Sequence, residues 1–334
     1  MNTVDAEIKY MEIIDKRGNI EFVSKAPPEL FNMATNGYEQ LGKMVNIQVS
    51  SACQLACKGC RGSFDNVFLN EVSNQSFIPH EKFKLIVSRC ISSGIKCIEL
   101  TPAIGDPMLD KDIINKILYL QSLPEIELII LTTNLIKFDP VDYCKLLSCD
   151  KLALYISVYG SDSVSYEEET GRDLYDRFIL NFKKLYECVK KHKIAGYIQL
   201  TNRTKWLLAD IPKTHLYYLL HLFLRQDRVS VDCSEVFNIN RGGAVTRKDL
   251  SFVKGDLPER SGLCPHGPGL GGGILPNGDV LFCPFNDIYR QGVIGNIFKQ
   301  DLKDIYNDKP FKTIVENHEQ NIYNGICESC NESW

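Results

Sequence analysis

Cys53, Cys57 and Cys60 fall within eight residues, in Val45-Asn-Ile-Gln-Val-Ser-Ser-Ala-Cys-Gln-Leu-Ala-Cys-Lys-Gly-Cys-Arg61. Iron–sulfur clusters usually take four thiolates, one per iron. Three thiols this close, with no fourth nearby, point to a cubane in which one iron has no protein ligand. An open metal position is where a substrate or cofactor binds, as in catalytic rather than structural sites. Ser51, Ala52, Ala56 and Gly59 are small enough to let the loop curl until three sulfurs converge. The plainer readings are three unrelated thiols or part of a zinc site, and a C-x3-C-x2-C behind an apolar run is the usual pattern of neither.

A second set, Cys264, Cys283, Cys327 and Cys330, is spread over the last quarter of the chain. Zinc and an iron–sulfur cluster fit its spacing equally well. The chain has thirteen cysteines. The odd count, the tight spacings and an N-terminus without basic start or apolar core favour metal ligation in a reducing compartment over disulfides. Cys90, Cys97, Cys144, Cys149, Cys188 and Cys233 lie mostly on apolar faces, where a free cysteine behaves as a small buried hydrophobe.

The triplet loop resembles the signature of the radical S-adenosylmethionine (SAM) superfamily. The resemblance implies a [4Fe–4S] cluster on Cys53, Cys57 and Cys60 whose open iron is chelated by SAM. It implies that one electron passed to the sulfonium releases methionine and a 5′-deoxyadenosyl radical, which abstracts hydrogen from an unactivated C–H bond. Gly59 stands where the family often has an aromatic residue against the adenine. Ile104-Gly105-Asp106-Pro107 resembles the family's Gly-Gly-Glu-Pro motif and would make Gly105 and Asp106 SAM contacts; the plain alternative is a turn that ends a strand. Thr133-Asn134-Leu135 resembles Thr-Asn-Gly, and Ser157-Val-Tyr-Gly160 a Ser-x-x-Gly segment, so Asn134 and Ser157 become candidate polar contacts. Arg172 is a further candidate SAM contact, and Cys233, at a strand end, a candidate hydrogen-atom donor to a substrate radical.

The C-terminal region resembles the auxiliary-cluster region called SPASM or Twitch, through Asn277-Gly278 followed by Cys283, Ile294-Gly-Asn-Ile-Phe298 and Leu302-Lys-Asp-Ile305. With four cysteines rather than seven, the shorter Twitch form applies, with Cys264, Cys283, Cys327 and Cys330 holding a second [4Fe–4S] cluster. A molybdopterin-precursor enzyme is similar in length, but its glycine-rich C-terminus differs from Cys330-Asn-Glu-Ser-Trp334. The resemblance also implies a peptide or small-molecule substrate and a one-electron reductant such as flavodoxin or ferredoxin.

Positioning these groups falls to alternating strands and helices. Strands are expected at Val45–Val49, Ile95–Leu100, Glu127–Thr133, Leu152–Val158, Gly196–Leu200 and Arg228–Cys233. The helices between them include Glu81–Ile91, where Phe83, Ile86, Val87 and Cys90 recur at helical spacing. Six strand–helix units imply an α/β fold with a parallel sheet. Six are too few for a closed eight-stranded barrel, so a partial (β/α)6 TIM-like barrel with a C-terminal Twitch-type iron–sulfur domain is expected. Functional residues then belong at the C-terminal ends of strands. The expected division is an N-terminal hairpin extension over 1–44, the barrel over 45–235 and the auxiliary-cluster domain over 236–334.

At 334 residues, with 44% hydrophobic and 24% charged residues, the chain has ample material for a folded core. A net charge of −4 and no basic run argue against nucleic-acid or membrane partners. The longest apolar stretch is interrupted by Glu127, Thr132, Thr133 and Asn134, and the reading is a cytoplasmic enzyme. The reaction expected is epimerisation, oxidation or crosslinking of a ribosomally made peptide, with dehydrogenation or epimerisation of a sugar or aminocyclitol as the alternative.

Overall fold

The computed structural model describes residues 4, 5, 7, 44–61, 76–101, 103–204, 211–232, 240–249, 259–264 and 272–332. The expected N-terminal hairpin and Cys233 lie outside the described residues. In chain order the elements are β1 (Met44–Ile47), α1 (Lys58–Arg61), α2 (His80–Ser92), β2 (Cys97–Glu99), α3 (Ile113–Ser122), β3 (Leu128–Thr133), α4 (Pro140–Leu147), β4 (Leu152–Val158), α5 (Ser163–Thr170), α6 (Tyr175–Lys191), β5 (Tyr197–Asn202), α7 (His215–Leu224) and β6 (Val229–Asp232). There follow β7 (Gly273–Ile274), β8 (Asp279–Leu281), β9 (Val293–Asn296), α8 (Leu302–Asn307) and α9 (Lys309–Glu319). The expected strand–helix alternation is present. Among the described residues no helix is long and apolar enough to cross a membrane.

The chain forms two compact units, one of Asn32–Thr132 with Asn238–Trp334, the other of Met1–Phe31 with Thr133–Phe237. The first holds every cysteine of the two ligand-like sets. In it β1 pairs parallel with β2 (Val45 opposite Ile98), and β2 with β3 (Ile98 opposite Ile129). On its other edge β1 pairs parallel with β7, Asn46 opposite Gly273, and β7, β8 and β9 continue antiparallel. The C-terminal segment thus extends the sheet of the N-terminal half, a pairing that chain order does not announce. The hairpin signal at Asn277-Gly278 is realised: Gly278 takes φ 88°, and its N–H donates to the Leu275 carbonyl at 2.9 Å.

α2 buries Phe83, Ile86, Val87 and Cys90, the face its spacing predicts. Each such side chain contributes roughly 1.5–3 kcal/mol by leaving water. From its last turn Arg89 reaches the carbonyls of Ile297 and Gln300 and the Asp301 carboxylate, which ties α2 to the segment after β9.

In the other unit β4, β5 and β6 pair parallel, with Leu154 opposite Ile198 and Ile198 opposite Val229. α4 starts at an Asp139 cap whose carboxylate accepts the Val141 and Asp142 N–H groups, with Pro140 in the first turn. α5 opens on an Asp162–Ser165 capping box and closes on Gly171 at φ 66°. Tyr166, Phe178, Phe182 and Phe223 stack in series through its core.

Candidate metal centre

The loop after β1 is held on two sides by backbone. On one side Ser50 bridges antiparallel to Phe77, the Ser51 N–H donates to the Ser76 carbonyl at 3.0 Å, and the Ile78 N–H donates to Val49 at 3.1 Å. Segment 76–78 is itself pinned by Lys116, fully buried, whose ammonium donates to the Ile78 carbonyl at 2.5 Å and pairs with the Asp110 carboxylate. On the other side the loop after β2 closes in. The Asp106 N–H donates to the Ala52 carbonyl at 2.7 Å. Gly105 sits at φ 114°, where an added Cβ would run into the Ser50 carbonyl. Glycine is required there by both conformation and space.

Within this frame Cys53 and Cys60 are partly exposed and Cys57 is buried. The Leu55 N–H donates to Cys53 Sγ at 3.4 Å, and the single-turn α1 carries Cys60. Cys53, Cys57, Cys60, Gly105 and Asp106 are thus brought to one loop cluster at the C-terminal ends of β1 and β2. Asp106 is buried, and one carboxylate oxygen accepts the Met108 N–H at 2.9 Å, so the turn reading accounts for that oxygen.

The other four thiols come from three separate segments. Cys264, Cys283 and Cys330 are buried and Cys327 is partly so. Asn286 joins two of them, its backbone N–H donating to Cys283 Sγ at 3.3 Å and its side-chain amide to Cys330 Sγ at 3.6 Å. The Cys264 N–H donates to His318 Nδ1 at 3.4 Å, and Arg260 holds the carbonyls of Cys327 and Glu328.

Burial first, then the neighbouring Cys283, Cys264 and Cys330 charges, pushes the Cys327 thiol up to about 12. Burial is also the main reason that Cys283 and Cys330 stand at about 11, each raised further by another thiol of the set. Buried thiols whose ionisation is opposed by other thiols of the set form donors that a shared cationic centre would relieve, since metal ligands bind as thiolates. Among the described residues no three His, Cys, Asp or Glu groups converge as a single metal ion requires. Both cysteine sets fit iron–sulfur clusters in donor type and number.

Asn134, Ser157 and Arg172 belong to the other unit. Asn134 is buried after β3, its side-chain oxygen accepting the Ile136 N–H at 3.0 Å. Leu135, where the resembled motif has glycine, keeps a left-handed φ of 63°. Ser157 is buried one residue from the end of β4, and Arg172 is exposed after the Gly171 cap. Cys90, Cys97, Cys149 and Cys188 are buried, as core thiols should be, while Cys144 is partly exposed with its sulfur 3.9 Å from that of Cys188.

Arg241, Asn286 and Arg260 escaped sequence reasoning. Asn286 had a faint signal in standing three residues after Cys283; the arginines had none, because their partners are backbone carbonyls distant in the chain.

Residues 264–331 match the family model of SPASM, an iron–sulfur cluster-binding domain. A GTP 3′,8-cyclase of Clostridium perfringens is 30% identical over 215 residues, covering 63% of this chain and 61% of the relative, so the match spans under two thirds of that protein. Among solved structures, Streptococcus suis SuiB bound to S-adenosylmethionine has a TM-score of 0.55 at 18% identity over 99% of this chain and 84% of that one. The same protein bound to precursor peptide SuiA gives 0.50 at 18% identity over 94% and 76%. BtrN in complex with AdoMet and 2-DOIA gives 0.52 at 17% identity over 87% and 94%. At these identities the likeness is one of fold, and it agrees with the expected partial barrel followed by a cluster-binding domain.

Proposed function

We propose that this chain, whose residues 264–331 match the SPASM iron–sulfur cluster-binding domain, is a radical SAM enzyme that abstracts hydrogen from an unactivated C–H bond of a ribosomally made peptide and so epimerises, oxidises or crosslinks it. When bound, the cluster and SAM supply the 5′-deoxyadenosyl radical. The chain's own residues hold and orient them: Cys53, Cys57 and Cys60 take three irons, and Cys264, Cys283, Cys327 and Cys330 the auxiliary cluster. The observation that carries the reading is the three-thiol loop at the end of β1, clamped between segment 76–78 and the Gly105–Asp106 turn. A loop fixed by backbone on both sides would hold three thiolates on one cluster and leave its fourth iron to SAM.

Gly105 and Asp106 are proposed to contact SAM, Asn134, Ser157 and Arg172 are further candidate SAM contacts, and Cys233 is the candidate hydrogen-atom donor. The peptide reading draws support from SuiB, whose structure with a precursor peptide shares this fold. A second reading, a small-molecule substrate, draws support from the GTP 3′,8-cyclase match and from the complex of BtrN with 2-DOIA. The proposal expects a cytoplasmic protein served by a flavodoxin- or ferredoxin-type reductant.

Anaerobically reconstituted protein with SAM and a strong reductant should release 5′-deoxyadenosine; none would sink the enzyme reading. Mass spectrometry in deuterated water then separates outcomes. Deuterium at a peptide Cα means epimerisation, and loss of two hydrogens means oxidation or crosslinking. Turnover of a sugar, aminocyclitol or GTP, with peptides untouched, selects the small-molecule reading.

A further inference from the structure

Arg241 lies in a turn between the two cysteine sets. Its Nε donates to the Gly59 carbonyl at 3.2 Å, and a terminal nitrogen stands 4.0 Å from Cys60 Sγ. The other terminal nitrogen bonds the carbonyl of Phe285, the residue before Asn286. Asn286 in turn donates to Cys283 and Cys330. One guanidinium therefore spans the last thiol of the first loop and the backbone that presents two thiols of the second set.

The turn is built to hold it there. Asn240 exchanges bonds with Asn331, its N–H donating to Asn331 Oδ1 at 2.9 Å and its Oδ1 accepting the Asn331 N–H at 3.1 Å, and its amide donates to the Ser329 carbonyl at 2.7 Å. That fixes the turn to both sides of Cys330. Arg241 itself takes φ 51°, and Gly242 and Gly243 follow at 63° and 88°. A left-handed arginine costs roughly 1–2 kcal/mol, a strain that persists where surrounding contacts over-determine it. The fork geometry matters as well: arginine makes directed bonds to several acceptors at once, which a lysine ammonium does not.

We propose that Arg241 is a positioning residue that locks the first cluster loop to the auxiliary site and places a positive charge beside Cys60, raising the reduction potential of the first cluster. The sign follows from charge. Reduction adds an electron to the cluster, and a cation held at a ligating sulfur stabilises the more negative state. The inference rests on the proposed ligation by Cys53, Cys57 and Cys60.

The test is an EPR-monitored redox titration of anaerobically reconstituted full-length protein as wild type, R241Q, R241K and C57A, with iron and sulfide measured in each. The signal absent from C57A identifies the first cluster. If C57A loses neither iron nor signal, the ligation reading fails, and that failure is visible without reference to Arg241. With the signal assigned, R241Q should keep its iron and shift the midpoint negative by about tenfold in the reduction equilibrium, about 59 mV for a one-electron couple. R241K should lie between R241Q and wild type, because it keeps the charge but not the fork. A wild-type midpoint in R241Q overturns the proposal. Should R241Q lose the first cluster's iron, R241K decides: retained iron with a midpoint at or slightly below wild type supports the role, and equal loss of iron in both overturns it.

Discussion

The two cysteine sets of one unit are built in opposite ways. Cys53, Cys57 and Cys60 sit on one short loop, and the N–H that meets Cys53 comes from Leu55 two residues away. Cys264, Cys283, Cys327 and Cys330 arrive from three segments, and Asn286 joins Cys283 to Cys330, a thiol 44 residues beyond Asn286 itself. A local set can form or fail without disturbing the fold around it. An assembled set is part of the fold, so whatever binds there contributes its binding free energy to stability.

That contrast is most exposed by C57A. It should lose about half the iron and reduce SAM cleavage more than about 100-fold, since even outer-shell partners of metal ligands cost 10–100-fold. Its thermal unfolding should stay near wild type. A large drop in melting temperature would mean that the local loop is as structural as the assembled set. C283A should behave conversely, losing several kcal/mol of stability in denaturant titrations of the reconstituted protein, because the unligated segments no longer share a centre. Unchanged stability would erase the distinction.

Smaller effects come from the supports. G105A places a Cβ against the Ser50 carbonyl at a left-handed φ, and should cost about 1–3 kcal/mol with partial loss of the first cluster's absorbance, while the auxiliary cluster stays. Loss from both clusters alike would show that the supports are shared.

The smallest effect belongs to Asp112, which meets His80 at 2.5 Å. Burial raises its carboxyl, but hydrogen bonds from Asn115 and His80 and the charges of His80 and Lys116 outweigh that and hold it below the ordinary range. A lowered carboxylate stabilises the fold above its unfolded value of about 3.9, and that contribution is lost as pH falls through the folded value. D112N should therefore cost less than about 1 kcal/mol at pH 7, and the difference from wild type should shrink as the pH is lowered below 4. A difference that grows on acidification would reverse the sign.

Much of this molecule was legible in one dimension. β4 runs over the residues expected for it, and α2 buries the four side chains its spacing singles out, because strand pattern and helical periodicity are local effects. One compact unit joins residues 32–132 to 238–334, which chain order does not announce. The reason is the parallel pairing of β1 with β7, which depends on hydrogen bonds between residues more than two hundred positions apart. Arg241 was invisible for the same reason, since no sequence pattern marks an arginine whose partners are carbonyls.

The first thiol triplet was legible in sequence alone, and so was the chemistry proposed for it, because three candidate ligands within eight residues need only a curled loop to converge. Tertiary structure decided that Asn286 joins Cys283 to Cys330, that Gly105 must be glycine, and that one arginine links Cys60 to the backbone before Asn286. Those facts depend on which backbone segments come within a few ångströms, and such proximity is settled by packing rather than by any local preference of the chain.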